Sequence, residues 1–270
     1  MKQRVLTAVF LVAVVLAALF STLPWPILLL AGVFYLLGLR EVSRMLGGSR
    51  LVYVGALVWP VVFSLSFLGT LPIKGYADIA LGAAMIFGLG ILSTWFAVRR
   101  SQRESAFALV ASGWIAGPLA ALIRLHQLDV DTSSMWRFAT PVLLAMVPLW
   151  AGDSAAIFAG KAFGKHKLWP ALSPKKTWEG AAANFIACVA TAIPLGMWIG
   201  YSWIVGMLCG IAAGILGQYG DLFESWVKRQ AGLKDSGSLL PGHGGILDRI
   251  DSLLFTAPAV ALILWLWPGH

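Results

Sequence analysis

Apolar runs about as long as a bilayer is thick set the terms on which this chain can fold. A helix that crosses the hydrocarbon core needs roughly 20 mainly apolar residues. The sequence offers nine such runs, at about 5–22, 25–43, 51–71, 77–98, 105–124, 138–160, 180–200, 203–226 and 250–267. Hydrophobic residues make up 59% of the chain and charged residues only 12%, against about 25% charged in soluble domains. A soluble core of 270 residues could not hide that much apolar surface, so lipid is the expected solvent. The expected fold is all-α: one polytopic integral membrane domain over residues 1–270, with spans 1–5 in roughly 5–124 and spans 6–9 with their polar loops in 138–267. The 29 glycines suit close helix contact in lipid, and they permit a homodimer without requiring one. Pro141 and Pro194 mark expected kinks. The first run follows Met1-Lys2-Gln3-Arg4 as a signal peptide would, but it is long and no small-x-small cleavage site follows, so it reads as a retained span.

Basic residues orient the spans. One set of loops carries Lys2 and Arg4; Arg40, Arg44 and Arg50; Arg99, Arg100 and Arg103; Lys161, Lys165, Lys167, Lys175 and Lys176; and Lys228, Arg229, Lys234 and Arg249. The opposite set carries only Lys74, Arg124 and Arg137. The positive-inside rule then places the N-terminus in the cytoplasm and, with nine spans, the C-terminus outside. The net charge of +8 reads as attraction to an anionic leaflet, with no nucleic acid implied. Cys188 and Cys209 fall inside apolar runs and read as small buried hydrophobes.

Two loops on the basic side hold more chemistry than orientation requires. One is "KAFGKHKLWPALSPKKTWE" (161–179), in which Ser173-Pro174 reads as a turn, followed by two lysines and a helix start. The other is "SWVKRQAGLKDSGSLLPGHGGILDRID" (225–251). Asp153 lies within the sixth run, Asp221 and Glu224 end the eighth, and Asp248 and Asp251 open the ninth. Ionisable groups at this depth are costly, and several carboxylates together repel unless a cation joins them. Asp248 and Asp251 stand at i, i+3 on one helix face, as do Asp221 and Glu224. Oxygen ligands without clustered His or Cys suit Mg²⁺ or a similar hard cation. Asp248 reads equally well as a helix cap or dipole partner, and Glu224 with Lys228 at i+4 reads as a surface ion pair. Asp235 reads as a solvated partner of Lys234, and His166 as a headgroup-facing surface residue.

Around these acids stand Lys228, Arg229, Lys234 and Arg249, with Lys175 and Lys176 in the other loop. The glycines of Pro241-Gly242-His243-Gly244-Gly245 let the backbone approach a ligand and present N–H groups to an anion. Cations, backbone donors and carboxylates are the parts of a metal–polyphosphate site. No Walker A motif occurs. An ion-coupled transporter of an anionic solute is the competing reading, but its charges would gather near the midplane.

The 225–251 stretch resembles the signature of the phosphatidate cytidylyltransferases. The matching positions are Ser225, Lys228-Arg229, Lys234-Asp235, Pro241 to Gly245, Asp248-Arg249 and Asp251. "SPKKTWEG" (173–180) and "GDSAAIFAGKAFGKHK" (152–167) are similar to further segments of that family. The resemblance implies Mg²⁺-dependent attack of phosphatidate on the α-phosphorus of CTP, giving CDP-diacylglycerol and pyrophosphate. It implies a bacterial cytoplasmic (inner) membrane location with the site on the cytoplasmic side. It also suggests roles: Lys228, Arg229, Lys234, Asp235, His243 and Arg249 in catalysis; Ser173, Lys175, Lys176, Thr177, Gly244 and Gly245 in substrate binding; and Asp221, Asp248, Asp251 and Asp153 at the metal. His243 reads equally as a turn residue. A CTP-dependent lipid-alcohol kinase is the alternative within enzymes.

Overall fold

The computed structural model describes residues 2–21, 25–45, 104–128, 141–239 and 244–267. The apolar runs at 51–71 and 77–98, and His243, lie outside the described residues. The other seven runs are all helical: α1 (Lys2–Leu19), α2 (Trp25–Met45), α3 (Glu104–Gln127), α4 (Val142–Phe163), α5 (Trp178–Ile199), α6 (Trp203–Gln230) and α7 (Leu247–Leu266). Five described segments are long and apolar enough to cross a membrane: Pro26–Met45, Val142–Phe163, Trp178–Ile199, Trp203–Gln230 and Leu247–Leu266. The protein is a mostly helical integral membrane protein, as its composition implies.

One departure is local. Residues 173–177, read from sequence as a turn leading into a helix, form strand β2 (Ser173–Thr177), antiparallel to β1 (Lys167–Trp169). The helix begins one residue later, at Trp178, because Thr177 caps it: its extended backbone lets Oγ1 accept the Gly180 amide at 3.1 Å. Glu179, in the first turn, accepts His166 Nδ1 at 2.7 Å and the His166 amide, closing the base of the hairpin. His166 is thus exposed, as expected, but tied to a carboxylate.

The chain divides into two compact units. The first comprises Met1–Arg124 with Asp235–Arg249. In it Tyr35, Leu39 and Val42 of α2 and Ile115, Leu119 and Ile123 of α3 are buried. Gly38 lies beside Ile115, where an added Cβ would come within 3.4 Å of its side chain.

The second unit comprises Leu125–Lys234 with Ile250–His270. Its core lies where α4, α5 and α6 meet, at Leu149, Cys188 and Ala213, and α5 and α6 are an antiparallel pair joined by only three residues. Gly200 takes the left-handed conformation (φ 104°) that ends α5. Ser202 then caps α6 by accepting the Val205 amide. The two helices meet along Gly206, Gly210 and Gly214, each one turn from the next. A Cβ on Gly210 would come 2.6 Å from Val189 Cα, and one on Gly206 would come 2.8 Å from Ala192 O. Further along α6, Gly217 lies against Leu149 of α4 and Gly220 faces α7; a Cβ on Gly220 would lie 2.6 Å from Asp251 O. Cys188 and Cys209 are both free and fully buried in this unit, as expected.

Replacing Gly210 with leucine forces a side chain into the α5 backbone. The expected loss exceeds the roughly 1–3 kcal/mol typical of overpacking, because backbone rather than a side chain must move. Thermal unfolding in detergent checks this, with Ile215→Leu, at a position 55% exposed, expected to unfold like the wild type.

Candidate active site

The second unit gathers one cation and three acids from four elements. Lys176, on β2, forms an ion pair with Asp221 on α6. Asp221 lies within electrostatic reach of Asp153 on α4 and of Asp251 on α7, and Lys176 reaches both of those as well. Lys228 adds a further positive charge to the field at Asp251. The glycine contacts explain the grouping. Gly220 brings α6 against the Asp251 backbone, placing its sequence neighbour Asp221 beside the first turns of α7. Gly152, next to Asp153, has no room for a side chain: a Cβ there would sit 2.6 Å from Cys188 Sγ and 2.8 Å from Asn184 Nδ2. Asn184 then donates to Asp153 Oδ1 at 3.3 Å, while Gln218 Nε2 donates to Asn184 Oδ1 at 3.2 Å.

Other residues singled out from sequence have different surroundings. Lys228 is buried, and its Nζ donates to Glu224 Oε2 at 2.7 Å; Glu224 itself is fully buried. The pair expected at the surface therefore forms inside the protein. The reason is that α6 continues to Gln230 and keeps this face packed. Asp221 and Glu224, one turn apart, consequently serve different partners. Arg229 donates to Leu233 O at 2.8 Å, closing the α6 C-terminus, where Gly232 is left-handed (φ 70°). Lys234 and Lys175 are exposed. Ser173 pairs with Trp169 in the hairpin, and Thr177 is the buried cap of α5.

The first unit holds the rest. Asp235 and Arg249 are exposed. Asp248, in the first turn of α7, accepts the amides of Gly245 at 2.8 Å and Ser236 at 3.1 Å through Oδ2. The cap-like behaviour open to Asp248 from sequence is thus present. Gly244 is left-handed (φ 81°), and a Cβ there would meet Asp248 Oδ2 at 2.6 Å.

Sequence reasoning missed Glu41. This α2 residue is 3% exposed. Its Oε1 accepts the Ile246 amide at 2.9 Å, and its Oε2 accepts the Leu247 amide at 2.9 Å and the Ser236 hydroxyl at 2.8 Å. The one available signal was an acid near the end of an apolar run, but Arg40 and Arg44 on either side made it look like a loop charge. Asn184 and Gln218 were missed too; as neutral amides in an apolar run they carried only the signal of polarity out of place.

Chemically, this set of residues suits an anion with several negative oxygens. The acids of the second unit supply hard oxygen donors, and Lys176 supplies a fixed cation beside Asp221.

Comparison with known proteins gives the same answer over the whole chain. The cytidylyltransferase family model matches residues 2–267. The chain is 33% identical over 274 residues to the phosphatidate cytidylyltransferase of Bacillus subtilis (strain 168), covering 99% of this chain and 98% of that protein. It is 32% identical over 287 residues to the phosphatidate cytidylyltransferase of Haemophilus influenzae, covering 96% of each. Over 119 residues it is 48% identical to the chloroplastic phosphatidate cytidylyltransferase 5 of Arabidopsis thaliana, which is 43% of this chain and 29% of that one. The resemblance read from residues 225–251 therefore extends nearly from end to end, and the chain belongs to the cytidylyltransferase family.

Proposed function

We propose that this chain is a phosphatidate cytidylyltransferase, transferring the cytidylyl group of CTP to phosphatidate in phospholipid biosynthesis. The observation that carries this reading is the near-complete alignment with the Bacillus subtilis enzyme, 98% of which is covered. The charge arrangement around Lys176 and Asp221 agrees with it.

In the reaction, a phosphate oxygen of phosphatidate bonds to the α-phosphorus of CTP. The bond from that phosphorus to the bridging oxygen breaks, and its electron pair leaves with pyrophosphate. The nucleophile is already anionic near neutral pH, so a strong general base is unnecessary. What the protein must supply is alignment and relief of charge repulsion between two phosphate groups. Lys176 suits the second task, since it is paired with Asp221 and its charge is felt at Asp153 and Asp251. Lys175, its neighbour on the strand, is exposed and free to meet a phosphate arriving from water or from a headgroup.

Mg²⁺ fits the donors present. It takes one or two carboxylates and completes its shell with water and substrate phosphate. Asp221 and Asp251 reach one another electrostatically and offer only oxygen. Among the described residues no three His, Cys, Asp or Glu side chains form a closed ligand group. Bound there, Mg²⁺ would withdraw charge from the triphosphate. Asp221 and Asp251 are its leading protein ligands. Asp153, hydrogen-bonded to Asn184, and Asp248, tied to two amides, are further candidates.

The topology belongs to the same proposal: nine spans, N-terminus in the cytoplasm, C-terminus outside, and the site on the cytoplasmic face of the cytoplasmic membrane. The uneven division of basic residues among the loops supports it. A cytoplasmic site would let water-soluble CTP meet a membrane-held lipid.

Purified protein incubated with phosphatidate, radiolabelled CTP and Mg²⁺ is expected to move label into the lipid phase and release pyrophosphate, and EDTA is expected to abolish both. Release of CDP from a lipid alcohol would instead identify a kinase, and anion flux across sealed vesicles without nucleotide turnover would identify a transporter. Lys176→Met and Asp221→Asn are each expected to lower kcat/KM by about 100- to 1,000-fold, the usual effect of deleting a charge-stabilising group, in protein that elutes and unfolds as the wild type does. Near-normal turnover by either variant would remove that residue from the machinery.

A further inference from the structure

Glu41 takes no part in the chemistry proposed above, yet its contacts fall inside the 225–251 signature, at Ser236, Ile246 and Leu247. A carboxylate buried without partners is costly, and the first amides of a helix have no acceptor within the helix. Glu41 and the start of α7 meet both needs at once through the Ile246 and Leu247 amides. The same carboxylate holds the Ser236 hydroxyl. Ser236 is in turn held by its amide to Asp248, which also takes the Gly245 amide. Ser236, 3% exposed, thus stands between two carboxylates, one from α2 and one from α7.

The glycines on either side fit this arrangement. A Cβ on Gly237 would come 2.7 Å from Glu41 Oε1, and one on Gly245 would run into Glu41 Oε2 and Ser236 Oγ. Two backbone segments, 235–237 and 244–249, are therefore moulded around a single side chain. Between them they carry Asp235, Gly244, Gly245, Asp248 and Arg249.

We propose that Glu41 is a positioning residue for cytidylyl transfer. Through Ser236 and the first turn of α7 it fixes the orientation in which Asp248 and Arg249 are presented. The inference rests on the cytidylyltransferase reading, because it concerns the rate of that reaction. Glu41 touches backbone and Ser236, so its effect is exerted through other residues.

The test uses full-length wild type, Glu41→Gln, Glu41→Asp and Ser236→Ala in detergent. Each is assayed for transfer of label from CTP to phosphatidate, together with its elution profile and unfolding temperature. Glu41→Gln keeps the side chain's size but sets an amide among groups that need an acceptor. Its kcat per folded molecule is expected to fall about 100-fold, as misplacement by about an ångström can cause, with KM for CTP near the wild-type value. Glu41→Asp, which keeps the charge, should recover part of that loss. Ser236→Ala should lower kcat in the same direction, and adding it to Glu41→Gln should cost little more, because both break one chain of contacts. An unchanged kcat in folded Glu41→Gln overturns the inference, as does a loss that merely tracks the folded fraction. If Glu41→Gln does not fold, Ser236→Ala decides the matter, and an unchanged kcat there overturns it equally. An inactive wild type would bring down the cytidylyltransferase reading and this inference together, whereas an active wild type with indifferent variants brings down only the inference.

Discussion

A helix that starts in apolar surroundings needs acceptors for its first amides, and here a side chain from elsewhere in the chain provides them. Glu41 gives its two oxygens to Ile246, Leu247 and Ser236. Leaving buried donors of this kind unsatisfied costs about 1–3 kcal/mol each. The carboxylate is accordingly both a structural requirement and the fixed point from which the polar segment departs. Much of that segment's shape, including the two glycines that admit no Cβ, is complementary to this one group.

The second unit solves a related problem by omission of side chains. Between apolar helices in lipid there is little hydrophobic force to gain, so contact depends on close backbone approach. Glycines along α6 allow that approach first to α5 and then to α7. Their position matters to the chemistry because Gly220 precedes Asp221. Tight packing and the placement of a charged residue are achieved by adjacent residues of one helix. The ion pair from Lys176 then ties the hairpin to the same helix, so a strand, a helix terminus and a carboxylate are held by one short set of contacts.

Much of this was legible from sequence, for physical reasons that also explain what was not. Seven apolar runs gave seven helices because length and hydropathy carry the signal directly. The end of α6 ran on past the expected boundary, since Glu224 and Lys228 look like surface charges until their mutual burial is known. The 167–177 hairpin was missed because its strands are short and contain lysines and a proline, with no alternation to mark them. Asp221, Asp251 and Lys176 were recognisable as residue types in a telling pattern, and the structure brings them within reach of one another. Glu41 was not, since most of its partners are backbone amides, which have no residue-type signature. The role open to Asp248 as an amide acceptor was visible in sequence as an alternative, and its bonds to Gly245 and Ser236 are present.

The distance along the chain between Glu41 and its partners has a consequence for synthesis. Ser236 follows it by 195 residues, Ile246 by 205 and Leu247 by 206. A ribosome therefore delivers the carboxylate long before it delivers anything that can bond to it. Until the last helix emerges, burying Glu41 would strand a charge without donors, so α2 has reason to wait with that end near water. Its final seating coincides with completion of the polar segment, which makes the closing of the N-terminal unit and the making of the signature a single late event in the life of the chain.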